Sequence, residues 1–301
     1  MTLVERSSRV LPREDDDAAA IVQQALAADG VAMLTGTTLE AAARAEGGGL
    51  TEAPLAEYTL TLSGPSGAAS TLRVDAVLSA IGRAPNVAGA GLDAAGVQFD
   101  GDGVVVDANW RTHNPDVYAT GDCASKLKFT HAADWQARCA VRNMFLGDDS
   151  RESDLLVPWA TYTDPEVAHV GLSEADAEAA ATPVDTFVRR LADVDRCKCD
   201  GLDVGFVKLL VKRGTDEILG ATVVAPRAGD MISELTLAIQ HGIGCSKLAG
   251  TIHPYPTTQE AVRQAAAMYW QQKLGMGNND AAREVVGAIL EEQARKGEGG
   301  S

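Results

Sequence analysis

The sequence predicts an α/β chain that gives way, from about residue 157, to an α+β domain built on an antiparallel sheet. Three observations carry this. Residues 2–5, 15–28 and 31–34 read strand, helix, strand, which is the pattern of a βαβ unit. Short apolar strands at 104–106 and 117–120 then lead into a helix over about 131–145. Beyond Val157 the order changes to hairpins followed by amphipathic helices.

With 301 residues, 46% of them hydrophobic, the chain can bury two or more cores. Lys and Arg number 26 against 42 Asp and Glu, a net charge of -16, which repels nucleic-acid phosphates and anionic membrane surfaces. No apolar run approaches the roughly 20 residues needed to cross a bilayer, and residues 1–17 are charged, without a signal-like apolar core. A cytoplasmic protein with no membrane or nucleic-acid partner is expected. Cys123, Cys139, Cys197, Cys199 and Cys245 show neither a disulfide framework nor zinc-ligand spacing, so reduced thiols and no metal site are expected. Cys197 and Cys199 flank Lys198 in a segment read as extended, either as two surface or half-buried thiols or as a redox pair.

The elements follow in order. The first helix is closed by Gly30. Residues 41–54, rich in Ala and Gly, read as a flexible connection. Residues 58–62 and 71–74 form a hairpin around Gly64-Pro65, and 76–81 form another strand that Pro85 stops. At Thr120 a strand ends, Gly121 lets backbone come close, and Asp122 can accept hydrogen bonds from the hydroxyls of a sugar or sugar alcohol. Ligands of open α/β sheets bind at such strand ends; an ordinary turn is the alternative. Thr130 reads as the cap of the next helix, whose face is Ala133, Ala137, Ala140, Val141 and Met144 and whose positive end aims at Asp122.

In the second half, strands at 159–162 and 167–172 flank an Asp164-Pro165-Glu166 turn, and Ser173 caps a short helix ending near Ala181. Strands at 205–211 and 218–224 flank Arg213–Asp216. Met231, Ile232, Leu235, Ala238 and Ile239 mark an amphipathic helix. Thr257-Thr-Gln-Glu260 reads as a capping box that starts a helix through Leu274. A weak helix over about 280–295 lies in the tail.

Four stretches now stand together: Ala80-Ile-Gly-Arg-Ala-Pro-Asn86, Val117-Tyr-Ala-Thr-Gly-Asp-Cys-Ala124, Asp164-Pro-Glu-Val-Ala-His-Val-Gly171 and His253-Pro-Tyr-Pro-Thr-Thr-Gln-Glu260. In this order and spacing they resemble the pyridine nucleotide disulfide oxidoreductases, flavoproteins that include lipoamide dehydrogenase, glutathione reductase and mercuric reductase. The resemblance runs from about Thr2 to Leu274 and covers the C-terminal part of such an enzyme. It implies a partial NAD(P)-binding Rossmann unit over 1–80, the last segment of an FAD-binding unit over 81–155, a dimerisation domain with an antiparallel sheet over 156–275, and a tail over 276–301.

The resemblance also implies roles. FAD and NAD(P)H are the expected cofactors and a homodimer the expected assembly, acting on a small molecule or a metal-thiolate. Gly121 and Asp122 would meet the ribityl chain of FAD, and the turn with Thr130 and His131 its ring, His131 being otherwise an exposed first residue of a helix. Glu5 would contact the adenosine ribose of NADH, with Arg6 blurring the choice against NADPH, or be a solvated charge. Gly82 would let backbone approach the dinucleotide. Family members that reduce disulfides carry a His-Pro-Thr run with Glu five residues after the His. Here Tyr255 holds that place, His253 lies two residues earlier, and Glu260 is either catalytic or a capping residue. Mercuric reductases also place Tyr there. A phenol titrates near about 10 and an imidazole near about 6.5, so Tyr255 is a hydrogen-bond donor rather than a proton shuttle at neutral pH. Neither the Cys-x-x-x-x-Cys of a redox disulfide nor an N-terminal Gly-x-Gly-x-x-Gly occurs, so the chain alone is expected to be incomplete as an enzyme, the alternatives being a non-catalytic dimerising module or a truncated gene product.

Overall fold

The structure is a computed structural model that describes residues 1–44 and 57–276 of the 301. At the N-terminus, β1 (Thr2–Val4), α1 (Asp16–Ala28) and β2 (Ala32–Leu34) form the expected βαβ unit, β1 and β2 pairing in parallel. Gly30 closes the helix with a φ of 79°, a left-handed turn that glycine enters without penalty. β3 (Thr38–Arg44), β4 (Tyr58–Ser63) and β5 (Ala69–Val74) make a three-stranded sheet in that order. Thus 41–44, read as part of a flexible connection, is strand; the rest of that stretch lies outside the described residues, as does the tail helix.

Residues 76–81 are not a strand. No strand among the described residues pairs with them, and Leu78 and Ile81 are over nine-tenths exposed, so the apolar run has nothing to pack on. β6 (Phe99–Asp100) and β7 (Gly103–Val104) form a two-stranded ladder, and isolated bridges join Val106 to Thr112 and Arg111 to Tyr118. A 3-10 turn at Gly121–Cys123 precedes α2 (Thr130–Leu146).

The C-terminal half is a five-stranded antiparallel sheet. Its strands are β8 (Trp159–Thr161), β9 (Glu166–Gly171), β10 (Val184–Arg190), β11 (Phe206–Lys212) and β12 (Ile218–Ala225), in the order β10-β11-β12-β9-β8. Between β9 and β10, α3 (Glu174–Ala179) starts at Ser173, whose hydroxyl accepts from the Asp176 amide while the Asp176 carboxylate accepts from Ser173. α4 (Asp195–Cys199) sits between β10 and β11. α5 (Ala228–Gln240), α6 (Cys245–Gly250) and α7 (Glu260–Lys273) follow. No helix among the described residues is long and apolar enough to cross a membrane.

The chain divides into two compact units, one of residues 1–41, 61–71 and 158–301 and one of 42–60 and 72–157. In the first, β11 and β12 are buried almost throughout, which requires cover on both faces of the sheet. Because strand side chains alternate, one face carries Val207, Leu209, Val211, Ala221 and Val223, and the other Phe206, Lys208, Thr222 and Val224. On that second face Val224, Phe206 and Val167 pack against Ala18 and Val22 of α1, with Leu11, Ile21 and Leu26 around them.

A polar row lies beside this apolar one. The register puts Lys208 opposite Thr222, Thr222 opposite His169, and His169 opposite Trp159, so four strands each contribute one side chain to a line across the sheet. The segment leading into α1 answers it with carboxylates. The Lys208 ammonium lies 2.7 Å from Asp17, 2.9 Å from Glu174 and 3.3 Å from Asp15. Thr222 donates to Asp15 at 2.8 Å, His169 Nδ1 is 2.9 Å from Thr222, and Trp159 donates to Glu14 at 2.7 Å. Asp15, Asp17 and Glu174 are grouped closely enough to hold a metal ion, and the lysine ammonium occupies the place a cation would take. Burial pulls the Lys208 pKa down, but hydrogen bonds to Asp17 and Glu174 and the charge of Asp15 outweigh it, and the net shift is upward.

Candidate functional site

The acidic turn belongs to the second unit. Gly121 is buried with φ 75°, and a Cβ there would lie 2.9 Å from that of Ala133 on α2, so only glycine fits. At Gly103 a Cβ would meet the carbonyl oxygen of Cys123 at 2.3 Å, so β7 runs backbone to backbone against the turn. The turn closes on itself through Ser125 N donating to Gly121 O at 2.8 Å. The side chain of Asp122 points outward, about half exposed, with Arg83 at 3.7 Å, beyond hydrogen-bond reach. Arg83 instead donates to the Lys128 carbonyl, and the Lys128 ammonium to the carbonyls of Asp122 and Ser125. The half-exposed carboxylate pairs with Arg83 as an ion pair and keeps its solvent side for further donors.

α2 begins at Thr130, exposed, after Phe129, so Thr130 is the first helical residue rather than the cap. Exposed His131 stacks on Phe129, ring centroids 5.4 Å apart. The buried face of α2 is Ala132, Gln136, Cys139 and Ala140, packed with Trp110 and Tyr118, whereas Val141 and Met144 are exposed. The expected face was therefore rotated, because Trp110 draws Cys139 and Ala140 inward. What the turn offers a flavin's ribityl arm is an outward carboxylate beside a helix start, the two glycines packing the turn tightly against α2 and β7.

The residues expected near nicotinamide dinucleotide are placed more loosely. Glu5 follows β1, and its carboxylate accepts from the Ser7 amide at 2.6 Å. Gly82 has φ 117° and lies exposed, with nothing within 4 Å of a Cβ placed there.

In the C-terminal domain His253, Tyr255 and Glu260 are not brought together within one chain. His253 Nε2 lies 2.8 Å from Glu234 on α5 and its Nδ1 3.0 Å from the Thr251 carbonyl. Gln259 donates to the other oxygen of Glu234. His253 therefore pins the loop before α7 onto α5. Tyr255 stands out from the surface, 68% exposed, and donates to Asp195 of α4 at 3.1 Å; that bond raises its pKa above the ordinary phenol value. Glu260 is buried and accepts from Arg263 at 2.6 Å. The capping box does not form: Gln259 stands at the N-cap of α7 with no side-chain cap bond, and the Thr257 hydroxyl donates to the Pro254 carbonyl.

The five cysteines are all free. Cys197 and Cys199 lie in a helix rather than an extended segment, and two residues apart on a helix point to different sides, so Cys197 is buried and Cys199 exposed. Burial raises the pKa of Cys197, and that of Cys245 to about 12.

Residues 157–266 match the dimerisation domain of the pyridine nucleotide-disulphide oxidoreductases, and residues 1–137 match a second domain described by that family name. The chain belongs to that family. Similar proteins include a dihydrolipoyl dehydrogenase of Thermus scotoductus, 33% identical over 92% of this chain and 58% of that protein. A mercuric reductase of Acidithiobacillus ferrooxidans is 32% identical over 89% of this chain and 46% of its own length. Among solved structures, LpdA from Mycobacterium tuberculosis superposes with a TM-score of 0.77 at 29% identity, covering 89% of this chain and 56% of that one. The chain thus spans about half the length of the family members it matches. The family's enzymes contain FAD and use NAD(P)H.

Sequence reasoning missed two groups. Gln136 lies on the buried stripe of α2, and its signal was a polar residue at helical spacing from Ala132, Cys139 and Ala140. Lys208 interrupts an apolar strand, and the run Asp15-Asp16-Asp17 was its distant counterpart.

Proposed function

We propose that this chain supplies the ribityl-binding turn and the subunit-pairing domain of an FAD-dependent NAD(P)H oxidoreductase acting on a metal-thiolate or small disulfide. The observation that carries the reading is the outward carboxylate of Asp122 on a turn whose glycine cannot be replaced. FAD bound there would supply the electron acceptor for NAD(P)H. Asp122 would accept the hydroxyl protons of the ribityl arm. The positive end of α2, at Thr130 and His131, would favour negative charge nearby by about 0.3–1 kcal/mol. Glu5 would take the ribose hydroxyls of NADH, Arg6 would suit a phosphate in NADPH, and Gly82 would lie where the chain crosses between dinucleotide sites.

In a homodimer formed through the domain over 157–266, exposed Tyr255 would stand at the pairing surface and meet the substrate there, with buried Glu260 held by Arg263. The Tyr255 phenol, whose one proton goes to Asp195, would meet a substrate through its oxygen lone pairs rather than relay a proton, which suits a metal-thiolate better than a dithiol. His253, committed to Glu234, would hold the loop that presents Tyr255. A second reading is a non-catalytic dimerising module, which the match of residues 157–266 to a dimerisation domain would supply.

The test is to add FAD to the purified chain, remove free cofactor, and record the flavin spectrum, NADH oxidation with an artificial acceptor, and mass in solution. Retained flavin with acceptor-dependent oxidation by a dimer is expected; a colourless, inert dimer would support the module instead. In an active preparation, Tyr255→Phe should lower mercuric-ion turnover more than dithiol turnover, and equal losses would remove Tyr255 from the substrate site.

A further inference from the structure

We propose that Gln136 is the positioning residue of the acidic turn: its buried carboxamide holds Gly121 left-handed, so that Asp122 is presented to a polyhydroxylated ligand arm. The proposal rests on the flavin reading for the ligand, and on geometry for the strut. Gln136 is fully buried on α2. Its Oε1 accepts from the Gly121 amide at 2.8 Å, and its Nε2 donates to the Ser125 hydroxyl oxygen at 3.2 Å. Ser125 Oγ also accepts from the Leu127 amide at 3.1 Å. One side chain therefore grips both ends of a five-residue turn, where the backbone of Ala124 and Ser125 already closes onto Gly121 O.

This arrangement has a directional consequence. With φ at 75°, Gly121 turns the following residue outward, and Asp122 leaves the buried turn for solvent. Without Gln136 the Gly121 amide would be buried and unpaired, and the turn would relax to expose it to water. That relaxation changes the direction of the Asp122 side chain without touching the ligand directly. The turn is held wholly by its own chain, so it is set before any ligand arrives, which is the arrangement that lowers the ordering cost of binding.

The experiment uses the full chain and two readouts, amide hydrogen exchange without ligand and fluorescence titration with FAD. Gln136→Met keeps the length of the side chain and removes both hydrogen bonds, whereas Gln136→Glu keeps the acceptor for Gly121. In Gln136→Met the Gly121 amide should exchange about tenfold faster, the loss of one buried hydrogen bond, with amides of β11 unchanged. FAD affinity should fall by a similar factor, and Gln136→Glu should retain most of the Gly121 protection. Unchanged Gly121 exchange in Gln136→Met would overturn the strut. Faster exchange with undiminished FAD affinity would overturn the positioning role. Faster exchange in a chain whose wild type takes up no FAD would sink the flavin reading while upholding the strut.

Discussion

Replacing Lys208 by Met would remove the centre of the polar row while keeping most of the side chain's length and apolar volume. The ammonium is 2% exposed and faces three carboxylates, of which Asp15 is 1% exposed and Asp17 and Glu174 are each 47% exposed. Removing one partner of a buried ion pair costs about 3–5 kcal/mol, because the remaining charge keeps its desolvation without its counter-charge. Two of the three carboxylates can rehydrate, so the lower end applies, about 3 kcal/mol, and for a unit of this size that corresponds to a fall in Tm of about 6–12 °C. Thermal unfolding followed by circular dichroism at neutral pH measures it. Adding Asp15→Asn to Lys208→Met should recover part of the loss, because the stranded buried charge is gone. A shift under about 2 °C for Lys208→Met, or additive losses in the pair, would refute the view that the ammonium compensates the buried carboxylates. The raised Lys208 pKa also fixes a pH window. Its contribution is fully present below the unfolded lysine value of about 10.4 and is lost as pH rises through the higher folded value, so the effect should be constant across neutral pH.

Glu14 should behave in the opposite sense at neutral pH. Burial raises its pKa, so its contribution is present below the unfolded value of about 4.3 and lost as pH rises through the folded one; Glu14→Gln, which keeps an acceptor for Trp159, should raise the urea midpoint at pH about 7 relative to pH about 4, and a lowered midpoint at both would refute this. Gly121→Ala should destabilise its unit by about 1–3 kcal/mol through its positive φ and the contact with Ala133, and should weaken FAD uptake; wild-type uptake would count against the turn as a cofactor site. An aromatic disulfide reagent should label exposed Cys199 in the native chain well before buried Cys245, whose pKa is pushed up to about 12, and equal rates would contradict the burial described above.

What was legible in the sequence was local. The cap at Ser173, the stripe Met231, Ile232, Leu235, Ala238 and Ile239, of which the last is only half-buried, and the paired strands around Gly214 each have their pattern within one element or hairpin. β10 was not: Val184–Arg190 reads V-D-T-F-V-R-R, an edge strand with polar residues that keeps only Phe187 fully inside. The residues 76–81 failed in the other direction, since an apolar run forms a strand only beside a partner. At the candidate sites, Asp122 and its glycine could be read because turn and carboxylate are contiguous, although 117–120 is not the expected strand and makes only an isolated bridge at Tyr118. Gln136 could not, since its partner Gly121 is 15 positions away. Still less could Lys208, whose closest acid Asp17 lies 191 positions away and whose pairing depends on which face of β11 looks toward α1.

The first unit joins residues 1–41 to the sheet that begins at Trp159. During synthesis α1 therefore leaves the ribosome long before β9, β11 and β12 exist to cover Ala18 and Val22. At roughly 5–20 residues per second, the βαβ segment waits on the order of ten seconds with its apolar stripe uncovered and Asp15 and Asp17 without Lys208. Closing that gap late brings together partners far apart along the chain, at a larger loop-closure cost than pairing within a hairpin. A chaperone that binds short apolar helices would find its target in residues 1–34 until the sheet is made.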